Sequence, residues 1–239
     1  MNGTRRTVTS LMQPYFFPYL GYFDLLCHSD TFVFYDDASF SKNGWYNRNR
    51  IYNDKQDWEY IRVSLRKAPL GTACTEIVLA DKAKDRERLL RQLAVYRTAP
   101  FYNVVVGLVE EVFDRSGNTL ADIAVMSIVT CARHIGLTCN IARSSEINYD
   151  RKQSAFLKIV DICRLTTADT YLNSSGGRSL YCSTDFRREG LELLFTPSHA
   201  AEYVPVGQRF VPYLSILDAM MWVGPETLRL ELSKRIPTC

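Results

Sequence analysis

The chain has 239 residues, of which 46% are hydrophobic and 23% charged, and its formal net charge is +3. These values are ordinary for a soluble globular protein, and the length suits one domain spanning residues 1–239. So small a net charge does not indicate a nucleic-acid partner. The longest uncharged helical run is too short to cross a bilayer, which needs about 20 residues. With no visible signal peptide, we expect a cytoplasmic protein without a membrane partner.

The cysteines and histidines do not form a recognisable metal motif. There are seven cysteines and three histidines, with no CxxC spacing and no histidine paired with a cysteine at ligand spacing. Cys27, Cys131 and Cys163 lie in apolar helical stretches, where free cysteine behaves as a small hydrophobic residue. We therefore expect no metal site, and nothing in the sequence indicates a cofactor.

The amino-terminal third begins with a βαβ pattern. Thr7–Met12 and Thr31–Tyr35 are predicted to be buried parallel strands, separated by a helix over Leu20–Cys27. The segment Gln13–Asp24 contains two prolines, a glycine and several aromatic residues, which predict a rigid, irregular turn. In α/β proteins ligands bind at this position, beyond the carboxyl end of a strand, although the aromatic residues also suit simple packing.

The remaining elements alternate between strands and helices. We predict strands at Trp58–Leu65, Thr138–Ala142, Asp169–Leu172 and Leu191–Phe195, and helices at Asp85–Arg97, Phe101–Asp114, Thr119–Ile135, Asp150–Leu165 and Tyr213–Trp222, with a short helix closing the chain. This order predicts an α/β fold with a mainly parallel, Rossmann-like sheet and helices on both faces. Thr119–Ile135 is apolar nearly all round, so we expect it to be fully buried against the sheet.

Three loops follow predicted strands and should meet at one edge of the sheet, because the carboxyl ends of parallel strands lie together. Their candidate binding residues are Gln13, Tyr15, Tyr19 and Tyr22 in the first, Asp36, Asp37, Lys42, Trp45, Asn47 and Arg48 in the second, and Ser174, Ser175, Gly176, Gly177 and Arg178 in the third. We expect these loops to form a single pocket.

The chemistry of these residues indicates an anionic ligand. A Gly-rich turn between a strand and a helix presents backbone N–H groups, although such turns also serve simply to reverse the chain. Lys42, Arg48 and Arg178 supply positive charge beside it. Trp45 is placed to stack on a sugar or base, with packing as the alternative. A small-molecule phosphate is the ligand that this combination favours.

Candidates for acid–base chemistry are fewer. Asp36 and Asp37 end a strand; we expect one carboxylate to be merely solvated and the other to bind a hydroxyl, an amine or a divalent ion. His199 is the histidine best placed to act as a general base, with an exposed loop histidine as the alternative. Ser215 and Asp218 suit the start of a helix. No G-x-S-x-G motif is present, which disfavours a hydrolase triad.

Several segments together resemble the WbqC-like family, and they lie at both ends of the chain. They are QPYFFPYLGYFDLL, SDTFVFYDD and SFSKNGWYNRNRI near the amino terminus, and ADTYLNSSGGRSLY and FVPYLSILDAMMWVG near the carboxyl terminus. The resemblance implies a bacterial enzyme of glycan or natural-product biosynthesis. It further implies transfer of a glycyl or other aminoacyl group to an amine such as an amino sugar, with Asp36, Asp37, His199 and Tyr22 as catalytic candidates.

A second, distant likeness is to the HxGH nucleotidylyltransferases. Tyr19 and Tyr22 occupy the positions of the two histidines and Gly21 is retained, but tyrosine carries no positive charge at neutral pH. The alternatives to a transferase are therefore a nucleotidylyltransferase-like enzyme and a non-catalytic protein that binds a nucleotide or sugar. We expect an activated amino acid or a nucleotide-sugar as the partner; the small net charge gives no support to an aminoacyl-tRNA.

Overall fold

The fold is built on a five-stranded parallel sheet. The computed structural model describes residues 6–42, 44–198, 203–205 and 209–239. The strands of the sheet are β1 Val8–Met12, β2 Thr31–Phe34, β5 Asn140–Arg143, β6 Thr170–Asn173 and β7 Glu192–Phe195. Their spatial order is β5-β2-β1-β6-β7, and every neighbouring pair is parallel. The predicted α/β fold and its three central parallel strands are confirmed.

The two faces of the sheet pack against different helices, as alternation along the strands requires. Phe32 and Phe34 join the larger core cluster on one face, while Val33 joins a second cluster on the other. The helices are α1 Phe23–Cys27, α2 Lys82–Gln92, α3 Tyr102–Arg115, α4 Leu120–Ile135, α5 Ala155–Leu165, α6 Ser183–Arg188, α7 Ile216–Trp222 and α8 Pro225–Lys234. Helices α5 and α6 cover the Val33 face, and the larger cluster contains residues of the other helices.

Helix α4 has the clearest boundaries in the chain. The Thr119 hydroxyl accepts a hydrogen bond from the Asp122 N–H, and the Asp122 carboxylate accepts one from the Thr119 N–H. Gly136 ends the helix with φ of +83°, a conformation that glycine adopts without strain. The helix is mostly buried but not fully so, because Arg133 is exposed and pairs with Glu111 of α3.

A two-stranded antiparallel hairpin stands apart from the main sheet. It consists of β3 Arg48–Asn53 and β4 Asp57–Arg62. Ile51 and Ile61 are fully buried and belong to the larger core cluster, so the inner face of the hairpin packs on the domain. The predicted strand Trp58–Leu65 is thus part of a hairpin, whereas its partner strand was wrongly assigned in part to a loop.

Two helices, α5 and α7, begin later than predicted because a capping residue fixes the first turn of each. Ser154 accepts a hydrogen bond from the Leu157 N–H, so α5 begins five residues later than the predicted Asp150. Ser215 caps α7 in the same way. A 3₁₀ helix over Ser175–Leu180 and helix α6 were not predicted. Among the described residues, no helix is both long and apolar enough to span a membrane.

Candidate functional site

The aromatic turn after β1 contains a strained and fully buried residue, Phe17. Its φ is +43°, a left-handed conformation that is uncommon for a bulky side chain. The Phe17 N–H donates to the Ser127 hydroxyl of α4 at 3.0 Å. Strained backbone of this kind persists only where the surroundings impose it, and it is frequent at functional sites.

The carbonyl groups of the turn are bound by two further segments. The side-chain amide of Asn49, on β3, donates to the Phe17 oxygen at 2.8 Å and to the Phe16 oxygen at 3.3 Å. The Ser215 hydroxyl, at the start of α7, also donates to the Phe17 oxygen, at 2.8 Å. The turn is thus held by α4, β3 and α7, which leaves Tyr15 and Tyr19 on either side of it in fixed positions.

A cleft of about 470 Å³ opens at the carboxyl edge of the parallel sheet. Its walls come from the segments after β1, β2 and β6 and from the first turns of α5. They are formed by Leu11, Met12, Gln13, Tyr15, Tyr35, Ala155, Lys158, Ile159, Tyr171, Asn173, Ser174, Gly176, Gly177, Leu180 and Tyr181. The aromatic turn and the Gly-rich turn therefore lie at the same edge of the sheet, as the parallel strands predict.

Lys158 is the basic residue of this cleft. It lies in the first turns of α5, on the wall formed with Ala155 and Ile159. In the part of the chain that the structure describes, no acidic side chain lies within ion-pair distance of its ammonium group. Its charge is accordingly available to a ligand, and Gln13 and Ser174 add polar groups to the same cleft.

The Gly-rich turn offers fewer free amides than the sequence predicts. The Ser174 N–H donates to its neighbour Asn173, the Ser175 N–H to the Thr196 hydroxyl, and the Gly177 N–H to the Ser174 oxygen. A Cβ at Gly177 would overlap the side-chain amide of Asn173, which explains the glycine there. Because these three donors already have acceptors within the protein, an anion in the cleft depends mainly on side chains such as Lys158.

A second cavity, the aromatic pocket, adjoins the cleft. Its volume is about 250 Å³, and it is lined by Tyr15, Tyr19, Trp45, Asn49, Arg50 and Tyr213. Tyr15 lines both cavities, so they share this residue as a wall. The guanidinium carbon of Arg50 lies 5.5 Å from the ring centre of Trp45 and 5.1 Å from that of Trp58, within the range of cation–π contacts.

The hydroxyls of Tyr15, Tyr19 and Tyr22 stay protonated at neutral pH. Burial raises the pKa of Tyr15, and burial together with the nearby Asp24 carboxylate raises the pKa of Tyr19 to about 12. Burial also raises the pKa of Tyr22, whose hydroxyl donates to the Gln13 carbonyl at 2.9 Å. Tyr22 therefore stabilises the turn from inside the core and does not line either cavity.

Asp36 and Asp37 lie in a hydrogen-bonded network and do not face the cleft. The fully buried Asp36 carboxylate accepts from Arg143 Nε at 2.6 Å and from both the N–H and the hydroxyl of Ser145 at 2.9 Å. Asp37 accepts from Tyr149 and, at 2.9 Å, from Arg151 Nε. These contacts give both carboxylates a structural role, contrary to the expectation that they meet a substrate at the pocket.

The predicted basic residues lie outside the cleft. Lys42 lines a separate groove with Arg66 and neighbouring residues, and Arg48 stacks over Trp45 and Tyr60 on the hairpin. The guanidinium of Arg178 donates to the Cys239 carbonyl at 2.9 Å.

Three further predicted site residues are Asn47, Ser175 and His199. Asn47 donates its side-chain amide to the Val63 carbonyl, and Ser175 does not line the cleft. His199 lies outside the described residues. The single pocket predicted from three loops is therefore wrong for most of its second loop, of which only Trp45 among the described candidates lines a cavity together with the first loop, although the first and third loops do meet.

The sequence comparison assigns the chain to a family. The model of the WbqC-like protein family matches residues 13–230, which include the aromatic turn, the aromatic pocket and all of the cleft lining except Leu11 and Met12. The chain belongs to the WbqC-like protein family. The predicted resemblance is thereby confirmed, and the family match covers four of the five strands of the sheet, the hairpin and helix α7.

A curated relative is similar in sequence over most of its length. The "Uncharacterized protein Rv1507c" of Mycobacterium tuberculosis is 24% identical over 221 residues, covering 91% of this chain and 94% of the relative. No solved structure matches the chain.

Two residues that line the cavities, Lys158 and Arg50, were not predicted from the sequence, because the elements that carry them have other bounds than expected. Lys158 belongs to the first turns of the helix after β5, and the amino terminus of a helix that follows a parallel strand lies at the ligand-binding edge. The position of Lys158 near the start of this helix could therefore have indicated that it belongs to the site. Arg50 lies two residues after the predicted Arg48, and it is Arg50, on strand β3, that lines a cavity of this WbqC-like protein.

Proposed function

We propose that this WbqC-like protein is a transferase that forms an amide, joining a glycyl or other aminoacyl group to an amine such as that of an amino sugar. The observation that carries the proposal is the cleft at the carboxyl edge of the sheet, where Lys158 stands without an acidic partner among the described residues. Two adjoining cavities that share Tyr15 as a wall suit a reaction that brings two reactants together. Family membership, as the resemblance implies, gives the reaction class.

The proposed reaction has a simple balance of bonds. The amine nitrogen attacks the carbonyl carbon of an activated amino acid, and a carbon–nitrogen bond forms. The bond between that carbon and its phosphate or ester oxygen breaks, and the oxygen leaves with the electron pair. The nitrogen loses one proton to solvent or to the leaving group. Lys158 would bind the anionic portion of a reactant in the cleft, and charge-assisted hydrogen bonds of this type are among the stronger ones.

Such a reaction does not need a dedicated acid–base pair. The donor is already activated, so holding the amine and the acyl carbon in contact supplies much of the rate enhancement. This fits the position of Asp36 and Asp37 outside the cleft, where Arg143, Ser145 and Arg151 engage their carboxylates. We assign the chain's contribution to binding and orientation, by Lys158, Gln13 and the tyrosines of the cleft.

The anionic half of the site is tested by calorimetric titration with ribose 5-phosphate. Replacing Lys158 with alanine is expected to weaken binding by about 1.5–3 kcal/mol, the range for a hydrogen bond to a charged group. Lys42→Ala is the matched control, because it removes the same charge from a separate groove and should leave binding unchanged. Equal binding by the wild type and Lys158→Ala would remove Lys158 from the site.

The transferase activity is tested by mass spectrometry of the products. The protein is incubated with a nucleotide-linked amino sugar and an activated glycine, either a glycyl phosphate or a glycyl ester. The expected product is the glycylated amino sugar, formed more slowly by Lys158→Ala than by Lys42→Ala. A wild-type protein that binds the nucleotide-sugar but yields no product above the uncatalysed rate would instead favour the non-catalytic binding protein. The observation that favours this second candidate is that the Asp36 and Asp37 carboxylates accept hydrogen bonds from other protein groups and are not available as a general base.

A further inference from the structure

The aromatic pocket has the composition of a site for a flat, uncharged ring. Aromatic rings from three separate segments line it: Tyr15 and Tyr19 from the turn, Trp45 from the loop before β3, and Tyr213 from the segment before α7. Tyr19 and Tyr213 make an edge contact with ring centres 5.8 Å apart. Such faces stack on planar rings of many kinds, including nucleobases.

The size of the pocket restricts its occupant. A volume of about 250 Å³ is slightly below the range of roughly 300–1,000 Å³ typical of pockets for drug-sized ligands. The pocket therefore suits one ring system and not a whole dinucleotide. The remainder of a larger ligand has to extend out of it, and the cleft on the other side of Tyr15 is the adjoining cavity.

The polar groups of the pocket favour a ring that accepts hydrogen bonds. Arg50 donates to the Tyr213 carbonyl at 3.4 Å, while its buried Nε has no acceptor among the residues that the structure describes. A buried donor without an acceptor is costly, so a ligand that supplies an oxygen or ring nitrogen is favoured. The guanidinium charge also disfavours a cationic ligand. Asn49 does not contribute, since its amide donates to Phe16 and Phe17.

We propose that the two cavities form one nucleotide site, with the base in the aromatic pocket and the phosphate beside Lys158 in the cleft. Tyr15, the wall common to both, lies between the base and the phosphate. This inference rests on the proposed function for its anionic half and adds to it the nature of the substrate: a nucleotide-linked molecule recognised by its base. The pocket is distinct from the Gly-rich turn, which lines the cleft only.

The experiment compares ribose 5-phosphate with the 5′-monophosphates of adenosine, guanosine, cytidine and uridine. Dissociation constants are measured by calorimetric titration of the full chain. Stacking of one base on an aromatic platform is worth about 1–3 kcal/mol, so at least one nucleotide is expected to bind about tenfold or more tightly than ribose 5-phosphate.

Two tyrosine variants locate the base. Tyr213 is 48% exposed and lines the pocket, whereas Tyr60 is 40% exposed and lies on the hairpin outside it. Tyr213→Leu is expected to abolish the preference for a nucleotide over ribose 5-phosphate, while Tyr60→Leu preserves it. Both residues are exposed, so neither change should prevent folding, and thermal melts check this.

The outcomes separate this inference from the proposed function. Equal binding of all four nucleotides and ribose 5-phosphate by the wild type would overturn the base pocket and leave the anionic cleft in place. An unchanged nucleotide preference in Tyr213→Leu would likewise overturn the assignment. The four unphosphorylated nucleosides are titrated in the same way. Failure of ribose 5-phosphate to bind, with a nucleoside still bound and sensitive to Tyr213→Leu, would overturn the anionic cleft and support the base pocket.

Discussion

The side-chain amide of Asn49 donates a 2.8 Å hydrogen bond to the carbonyl oxygen of Phe17, the buried residue with positive φ. The Asn49 side-chain oxygen accepts from the Arg50 N–H at 2.9 Å, so one side chain connects the hairpin with the aromatic turn. This contact determines how the turn and the aromatic pocket are placed relative to each other.

Replacing Asn49 with leucine should therefore destabilise the protein. Leucine has a similar volume but leaves buried carbonyl groups of the turn without this donor, and an unsatisfied buried group costs about 1–3 kcal/mol. Urea unfolding measures the loss. Asn53→Leu, at the more exposed end of the same strand, is the control and should cost less. An Asn49 variant as stable as the wild type would show that Ser127 and Ser215 hold the turn without help from β3.

The two glycines of the Gly-rich turn should respond differently to alanine. A Cβ at Gly177 overlaps the Asn173 amide, whose side-chain oxygen is itself bonded to the Ser174 N–H. At Gly176 the Cβ would meet only the Ser174 hydroxyl oxygen, 4.0 Å away. We expect Gly177→Ala to cost about 1–3 kcal/mol, the usual range for overpacking, and Gly176→Ala to lie within about 0.5 kcal/mol of the wild type. Thermal unfolding of both variants decides the matter, and equal stabilities would contradict the proposed close approach.

The Asp36 network should contribute to stability and not to ligand binding. Asp36→Asn keeps the shape but removes the charge that Arg143 and the two Ser145 donors contact. We expect a loss of about 1–3 kcal/mol in unfolding free energy, because hydrogen bonds to a charged group are lost in a buried setting. Asp185→Asn, where the carboxylate is about half exposed, is the control. Weakened ribose 5-phosphate binding at unchanged stability would restore Asp36 to the site.

Tyr19 should make stability depend on pH in the alkaline range. Its folded pKa is raised to about 12, above the value near 10 of an unfolded tyrosine. Stability from the protonated hydroxyl is fully present below pH 10 and is lost as the pH rises towards 12, because the unfolded chain ionises first. Unfolding free energies of the wild type and Tyr19→Phe, measured from pH 8 to 11.5, should differ by a constant below pH 9.5. Above it, the wild type should lose stability faster. Parallel curves throughout would show that Tyr19 ionises normally.

The sequence predicts the sheet better than the site, and the reason lies in the range of the interactions. The runs at Val8–Met12 and Thr31–Phe34 are apolar because both faces of these strands are covered, which is visible locally. Strand β3 is difficult to predict because arginine and asparagine alternate in its first half. Its only aliphatic residue is Ile51, which lies between Arg50 and Tyr52. No local pattern marks a strand whose outer face carries charged residues over aromatic rings.

The role of Asp36 depends on partners far away in the sequence. Its main contacts, Arg143 and Ser145, follow it by 107 and 109 residues, and nothing near Asp36 indicates that its carboxylate is buried. Lys158 was missed because its local sequence gives no indication of the cavity beside it. On a helix with exposed polar positions, a lysine resembles any solvated surface residue until the adjoining cleft is known.

The hydrogen bonds that hold Phe17 also bear on the order in which the site forms. Its partners Asn49, Ser127 and Ser215 are separated from it by 32, 110 and 198 residues. Contacts between distant residues carry a high cost in chain entropy and form slowly. We therefore expect the walls of both cavities to become ordered near the end of folding, after the segment containing Ser215 has docked. All five strands of the sheet precede Ser215 in the chain. During synthesis on the ribosome, the strands are therefore complete before the last residue that holds the aromatic turn has been added.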